Sequence, residues 1–190
     1  MIGTAIAAIL SIKDQQRRHD VIFISKTDMA VASDDIEVTK SNNELFFPTS
    51  HDEVDMWLKK FASSQDALDP TQTSTVYAPE ATLRFSTYPA ILGASKIEEM
   101  VKARFASLSL LSHTHRYFDL AGSRIWAVFD VRYCVRGDPS EEEFLVPCAC
   151  VFTLLEDSMH RGKIIDLEVF MDQTVVEDRI NDVARAKLAV

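Results

Sequence analysis

Residues 113–138 read HTHRYFDLAGSRIWAVFDVRYCVRGD, and this stretch indicates the fold. Two runs rich in β-branched and aromatic residues flank Gly122-Ser123, a pair typical of a tight turn between antiparallel strands. The sequence Gly137-Asp138-Pro139-Ser140 then ends the second run. We therefore predict a hairpin with strands over 113–120 and 125–135, each longer than the roughly 5–6 residues of a typical strand.

The chain continues with two more runs of the same kind. Residues 144–155 and 164–172 are rich in strand-forming apolar residues, and the loop 156–162 separates them. Short connections between successive strands favour an antiparallel arrangement. The four runs therefore predict an antiparallel meander.

The sequence before the hairpin predicts helices. Ser50 and Glu53 form the S-x-x-E pattern that begins many helices. Apolar residues then recur with the spacing of one buried helix face, at Val54, Trp57, Leu58 and Phe61. We expect this helix to end near Leu68, and Asp69-Pro70 to begin a short second helix that ends near Tyr77.

Two more S/T-x-x-E pairs predict two further helices. Ser95 with Glu98 precedes an apolar stripe formed by Ile97, Val101, Phe105 and Leu108. Thr174 with Glu177 precedes a final amphipathic segment. A short strand, residues 81–87, lies between the helices of the first half.

This order predicts one α+β domain over residues 50–190. Helices that precede a meander must cover the face of the sheet that is apolar enough to bury. A long, strongly twisted antiparallel sheet wrapped over helices leaves a cone with an apolar pocket at its open end. Residues 1–49 lack a sustained period, and we interpret them as an appendage that is poorly ordered.

Composition excludes several classes of partner. The formal net charge is −9, and a field of that sign repels phosphate backbones, so we expect no nucleic acid partner. No apolar run approaches the roughly 20 residues that span a bilayer. The odd count of three cysteines and the poor match of the first ten residues to a secretory signal favour reduced thiols and a cytoplasmic location.

The order of elements and several local motifs resemble the SnoaL-like, polyketide cyclase-like branch of the nuclear transport factor two superfamily. The resemblance covers about residues 51–175. It is carried by Trp57 and Phe61, by YAPEATLRF, by His113 nine residues before Gly122, and by FDVRYCVRGD and GKIIDLEVFMD. Members of this branch from fungal small-molecule pathways look most similar. This resemblance implies the cone fold and a pocket for a small hydrophobic molecule.

Asp172 is the first candidate catalytic residue, because the resemblance implies an acid/base aspartate at this position. A carboxylate desolvated in an apolar pocket has a raised pKa and can exchange protons near neutral pH. The alternative is that Asp172 bonds backbone amides at the start of the final helix. His113 and His115 point to the same face of one strand, and a pocket imidazole can polarise a carbonyl or carry a proton. Two structural histidines are the alternative.

Candidate substrate-binding residues are mostly aromatic. Tyr133 and Phe129 take the inner side of the second strand of the hairpin, and a buried phenol can donate a hydrogen bond to an oxyanion. Trp57 and Tyr88 are expected at the pocket mouth, although such spacings also suit a core. Glu168 and Phe170 share a face with Asp172 when residues are counted back by twos.

The sequence favours an enzyme that needs neither a metal nor another cofactor. Cys148-x-Cys150 and His113-x-His115 lack the C-x-x-C spacing of structural zinc sites. We expect a cyclase, isomerase or dehydratase acting on a polyketide- or terpenoid-like molecule. The alternative is a module of the same fold that binds a hydrophobic ligand or dimerises without catalysis. In either case Trp126 and Val128 on the outer sheet face predict a homodimer.

Overall fold

The computed structural model describes residues 45–86, 88–156 and 159–188 of the 190-residue chain. The prediction for the N-terminal appendage therefore lies largely outside the described residues. The last residues of this segment do not form a separate unit, because Leu45, Phe46 and Phe47 pack against the hydrophobic core. The packed region thus includes residues before the predicted start at residue 50.

Four α-helices are described. Helix α1 spans His51–Asp66, α2 spans Thr73–Val76 after a 3-10 turn at Pro70–Gln72, α3 spans Ala94–Ala106 and α4 spans Thr174–Leu188. All of the apolar residues predicted to form the buried face of α1 are buried. The periodicity of the sequence therefore predicted this helix and its orientation.

Only the first of the three predicted capping boxes is formed. Ser50 Oγ accepts a hydrogen bond from the Glu53 amide at 3.3 Å. Helix α3 instead begins after Gly93, whose φ of 90° favours glycine, and Ser95 lies inside its first turn. At the start of α4 the Thr174 hydroxyl donates to Asp172 rather than capping the helix. The second and third boxes were therefore wrong.

The strands form one six-stranded sheet in the order β2-β1-β6-β5-β4-β3. They span Tyr77–Phe85 (β1), Ile91–Leu92 (β2), Leu108–Ala121 (β3), Arg124–Val135 (β4), Phe144–Leu154 (β5) and Ile164–Met171 (β6). The predicted meander is confirmed, because β3 to β6 pair antiparallel in sequence order. The β1 strand is the exception and pairs parallel with β6, which makes the sheet mixed.

The core lies between the inner face of the sheet and the helices. Trp57 of α1 is fully buried, stacks on Phe61 and meets Phe152 of β5 edge-on. Its indole N–H donates to the carbonyl of Gly162 at 3.0 Å. These contacts hold α1 over the middle of the meander. The α+β cone predicted from the sequence is the architecture observed.

No helix of the described residues is long and apolar enough to cross a membrane.

Candidate functional site

A cavity of about 520 Å³ opens between the inner face of the sheet and the helices. Its described apolar lining includes Phe61, Leu83, Phe105, Leu111, Val131 and Val169. A smaller set of polar side chains lines the same space, among them Gln65, Arg104, His113, Tyr133, Gln173 and Glu177. A mostly apolar cavity with a few convergent polar groups is the usual form of a small-molecule site.

Of the polar residues that line this cavity, His113 has the most fully defined set of hydrogen bonds. Its ring Nδ1 lies 2.6 Å from Oδ1 of Asp66, at the end of α1. Both Asp66 oxygens also accept from the His113 backbone amide, at 3.1 Å each. This amide is available because β3 is an edge strand. The carboxylate therefore fixes the strand and the ring together.

The Asp66 contact determines what the imidazole can do. With Nδ1 donating to the carboxylate, Nε2 is left with a lone pair and can accept a proton. The carboxylate also stabilises the imidazolium that proton uptake would form. His113 and Asp66 therefore form a pair able to act as a general base and then as a general acid toward a ligand in the cavity.

Tyr133 supplies a hydrogen-bond donor in the same cavity. Burial raises the pKa of the Tyr133 phenol well above its ordinary value, and the positive charge of the neighbouring Arg104 guanidinium offsets part of this increase. The phenol is therefore protonated at neutral pH. Its hydroxyl donates to the thioether of Met171 at 3.9 Å, a weak acceptor that a ligand oxygen would readily replace.

Two thiols face the cavity from β5. Cys148 and Cys150 both line it, and their sulfur atoms lie 3.3 Å apart. Residues two apart on a strand point to the same face, so the C-x-C spacing itself places them together. Both cysteines are free.

Tyr88 lies at the mouth of the cavity, where it was predicted. Its side chain is half exposed and also lines the cavity. The Tyr88 hydroxyl lies 3.5 Å from the Glu177 carboxylate of α4. The mouth is therefore formed between the segment after β1 and the first turns of α4.

His115, the second predicted histidine, lies outside the described lining of the cavity. Its Nε2 lies 2.9 Å from Oδ1 of Asp55, which also forms an ion pair with Lys59. The pair ties α1 to β3 beside the Asp66–His113 contact. This geometry is that of a structural histidine satisfied by its neighbours.

Asp172 also lies outside the described lining. It is exposed, and its carboxylate accepts from the Thr174 hydroxyl and amide, at 2.5 and 3.0 Å. These hydrogen bonds lower the pKa of Asp172, whereas the predicted chemistry requires a raised value. The geometry is that of the alternative role at the start of α4, and the catalytic role stays a prediction.

Trp57 and Phe129, expected in the pocket, are fully buried core residues outside its described lining. Phe129 packs edge-on against His113, with ring centroids 5.9 Å apart. It therefore packs against the imidazole ring and does not belong to the described lining of the cavity.

Glu168 and Phe170 lie on the opposite face of β6 from the one predicted. The cavity is lined from this strand by Leu167, Val169 and Met171, while Glu168 pairs with Arg84 outside. The pairing of β5 with β6 is regular from Asp166 to Met171, so Glu168 and Phe170 do lie on the side of Asp172, as counting by twos predicts. The face was misassigned because Asp172, from which the count began, lies outside the described lining of the cavity. The register shift between Ile164 and Asp166 changes the face of Ile164 alone, which is buried.

Sequence reasoning missed Asp66, Arg104 and Met171. Asp66 ends a helix and lies 47 positions before His113, so only the packing of α1 on β3 brings the two together. Arg104 lies between Val101 and Phe105 of the predicted stripe of α3, and a single arginine at such a position is typical of an exposed helix surface. Met171 belongs to the face of β6 that was assigned to the exterior.

No group of three or more histidine, cysteine or carboxylate side chains among the described residues could hold a metal ion. The cysteine and histidine pairs on β5 and β3 therefore do not converge into a site of that kind within the described part of the chain.

No protein-family model and no curated protein sequence matches the chain. Solved structures do match its fold. A protein described as a SnoaL-like polyketide cyclase from Jannaschia sp. CCS1 superposes with a TM-score of 0.54 at 16% identity, covering 65% of this chain and 88% of that one. TsrD from Streptomyces laurentii gives 0.54 at 15% identity, covering 70% and 98%.

A protein described as an isomerase from Bacillus subtilis gives a TM-score of 0.53 at 17% identity, covering 64% of this chain and 87% of that one. The fold is therefore similar to that of these structures. At these identities the likeness extends to the fold alone, because one fold supports many activities.

Proposed function

We propose that this protein is an acid/base enzyme that needs no cofactor and acts on a small hydrophobic carbonyl compound. The reaction class is cyclisation, isomerisation or dehydration of a polyketide- or terpenoid-like molecule. Its setting is secondary-metabolite biosynthesis of the kind found in fungal small-molecule pathways. Structures described as a polyketide cyclase and an isomerase support this class by their shared fold.

The observation that carries the proposal is the Asp66–His113 pair at the wall of an apolar cavity. The imidazole removes a proton from the carbon next to the ligand carbonyl. The Tyr133 hydroxyl and the Arg104 guanidinium stabilise the negative charge that develops on the carbonyl oxygen. The imidazolium then returns the proton at another carbon or to a leaving oxygen. The apolar walls exclude water from the intermediate.

Asp172 remains a second candidate for the proton-transfer group. It lies between Met171 and Gln173, which both line the cavity. In this structure its hydrogen bonds to Thr174 oppose that role. The two candidates are separable by mutation.

Hydrogen–deuterium exchange on a simple ketone tests the proposal. We use 2-decalone, an apolar bicyclic ketone, in D₂O and follow loss of its α-hydrogens by NMR. The wild-type chain is expected to accelerate exchange over buffer. Because general-base catalysis typically contributes roughly 10²–10⁴-fold, His113→Gln should remove most of the acceleration and Asp66→Asn a large part of it.

Two comparisons complete this experiment. Asp172→Asn and His115→Gln report on the other predicted candidates, and we expect both variants to retain exchange. Full activity of His113→Gln with loss of activity in Asp172→Asn would transfer the catalytic role to Asp172. Exchange no faster than in buffer for the wild type would contradict the proposed reaction class.

The alternative is a carrier that binds a hydrophobic ligand without changing it, and the predominance of apolar side chains in the lining favours it. Mass spectrometry of molecules that copurify with the protein separates the two functions. If the protein is an enzyme, the compound that copurifies with the wild type should differ from the one that copurifies with His113→Gln. A carrier should hold the same compound in both.

We also propose that the protein forms a homodimer through the outer face of its sheet. Trp126 is 51% exposed there, and Tyr117 and Phe170 lie beside it along the same shallow groove. A patch of exposed aromatic side chains on a sheet face is typical of an interface.

A further inference from the structure

The Cys148 and Cys150 thiols form a feature that the proposed proton transfer does not use. Their sulfur atoms lie 3.3 Å apart, close enough for one thiol to donate a hydrogen bond to the other. Both line the cavity from the inner face of β5. The third cysteine, Cys134, is also buried but lies outside the described lining. The chain has three cysteines in total.

The hydrogen bond makes the two thiols chemically different. The bond from Cys150 lowers the pKa of the Cys148 thiol against the opposing effect of burial. The same contact, together with burial, raises the pKa of Cys150. Since the thiolate is the nucleophilic form of cysteine, Cys148 is the more reactive member of the pair.

Hydrogen-bond donors line the same cavity as this sulfur. Met171 is the cross-strand partner of Cys148, and the Tyr133 hydroxyl lies 3.9 Å from the Met171 sulfur. Arg104 lines the cavity on the same side as the phenol. A ligand whose carbonyl accepts from Tyr133 therefore binds in the same cavity that Cys148 lines.

We propose that the Cys148–Cys150 pair is a covalent binding site for small apolar α,β-unsaturated carbonyl compounds. The Cys148 sulfur attacks the β-carbon, a carbon–sulfur bond forms, and the π electrons of the C=C bond move toward the carbonyl oxygen. Tyr133 donates a hydrogen bond to the enolate. The α-carbon then takes up one proton, which balances the proton lost by the thiol, so no oxidant or reductant takes part.

The inference rests on the proposed function only in using the same cavity for a carbonyl ligand. It does not require His113 to transfer a proton. It narrows the ligand class, because an unsaturated carbonyl compound would be held covalently, whereas a saturated one would be released.

The test is labelling of the full chain with 2-cyclohexen-1-one, followed by intact mass and peptide mapping. We expect one adduct per chain, on Cys148. Cys134→Ser should react at the wild-type rate, whereas Cys148→Ser should react at least about tenfold more slowly, because the favoured thiolate is gone. Cys150→Ala should fall between them, because Cys148 then loses its hydrogen-bond donor.

Peptide mapping of the wild type keeps the test valid if a serine variant fails to fold. Labelling on Cys134, or equal labelling of all three cysteines, would overturn the inference. A wild type that forms no adduct while its urea-unfolded chain does would also overturn it. Exchange on 2-decalone without a Cys148 adduct contradicts this inference alone, and an adduct without exchange contradicts the proposed function alone.

Discussion

At the scale of single residues, Gly162 shows how closely the described N-terminal segment is fitted to the domain. Its φ is +84°, and a Cβ built on it would lie 2.3 Å from the backbone carbon of Phe46. Its amide donates to Leu155 at 2.9 Å, and its carbonyl accepts from the Trp57 indole. Only glycine satisfies the backbone angle, the close approach and both hydrogen bonds at once.

We predict that Gly162→Ala destabilises the fold. The left-handed backbone and the overlap with Phe46 should together lower the free energy of unfolding by roughly 2–4 kcal/mol. Urea unfolding followed by circular dichroism measures the change. Gly122→Ala is the matched control, because Gly122 has a φ of +62° and open space around the built Cβ. Equal losses in the two variants would show that the contact with Phe46 contributes nothing.

At the scale of secondary structure, a buried carboxylate links helix α4 to the turn after β4. Asp138, in the turn after β4, accepts from Arg179 Nε at 2.7 Å and from the Ser140 amide and hydroxyl at 3.0 and 2.9 Å. Burial alone would raise the pKa of Asp138. The hydrogen bonds from Ser140 and the Arg179 guanidinium outweigh it and hold the pKa below the usual value.

This attachment predicts a pH dependence of stability. Because the folded pKa of Asp138 lies below the unfolded one, its contribution is complete above about pH 4 and is lost as the pH falls through the folded value. Asp138→Asn should therefore lower stability at pH 7 and flatten the loss of stability in acid. Urea unfolding between pH 7 and pH 3 measures both effects.

A carboxylate of α4 itself provides the control. Asp182 pairs with Arg185 at 3.7 Å, and both side chains are largely exposed. Asp182→Asn should keep the wild-type pH profile, since exposed pairs contribute little. An identical profile for wild type and Asp138→Asn would contradict the role given to the buried carboxylate.

The elements also show which parts of the protein are predictable from sequence. Helix α1 and the four meander strands follow from periodicity and turn residues, which are local. The parallel pairing of β1 with β6 and the partner of His113 depend on contacts between distant segments. The face of β6 was misassigned because it was counted from Asp172, which lies outside the described lining of the cavity. His113 and Tyr133 were placed in the cavity because the pairing of β3 with β4 is regular from Leu110 to His115.

At the scale of the whole molecule, the two faces of the sheet have different surroundings. The inner face encloses the cavity, and the outer face exposes Trp126, Tyr117, Phe170 and Leu145. Charged pairs such as Arg116–Asp130 lie among them, 3.6 Å apart. Mixed charges around aromatic side chains suit contact with a second copy of the same surface.

The proposed homodimer predicts that Trp126→Glu shifts the protein toward monomer at micromolar concentration, because a carboxylate at the centre of the contact would lose its hydration. Sedimentation velocity measures the shift. Met56→Glu is the control, since Met56 on α1 is exposed to a similar degree, 49% against 51%. A monomeric wild type would contradict the dimer, as would equal dissociation of both variants.

The parallel pairing of β1 with β6 also has a consequence for synthesis on the ribosome. Thr82 of β1 pairs with Asp166 of β6. The β1 strand therefore leaves the ribosome long before β6, the strand with which it pairs. At roughly 5–20 residues per second this interval is on the order of 4–17 seconds. During that time one edge of β1 has no partner in the sheet. The nascent chain is then a natural client for chaperones that bind extended apolar segments, and slower translation would prolong that exposure.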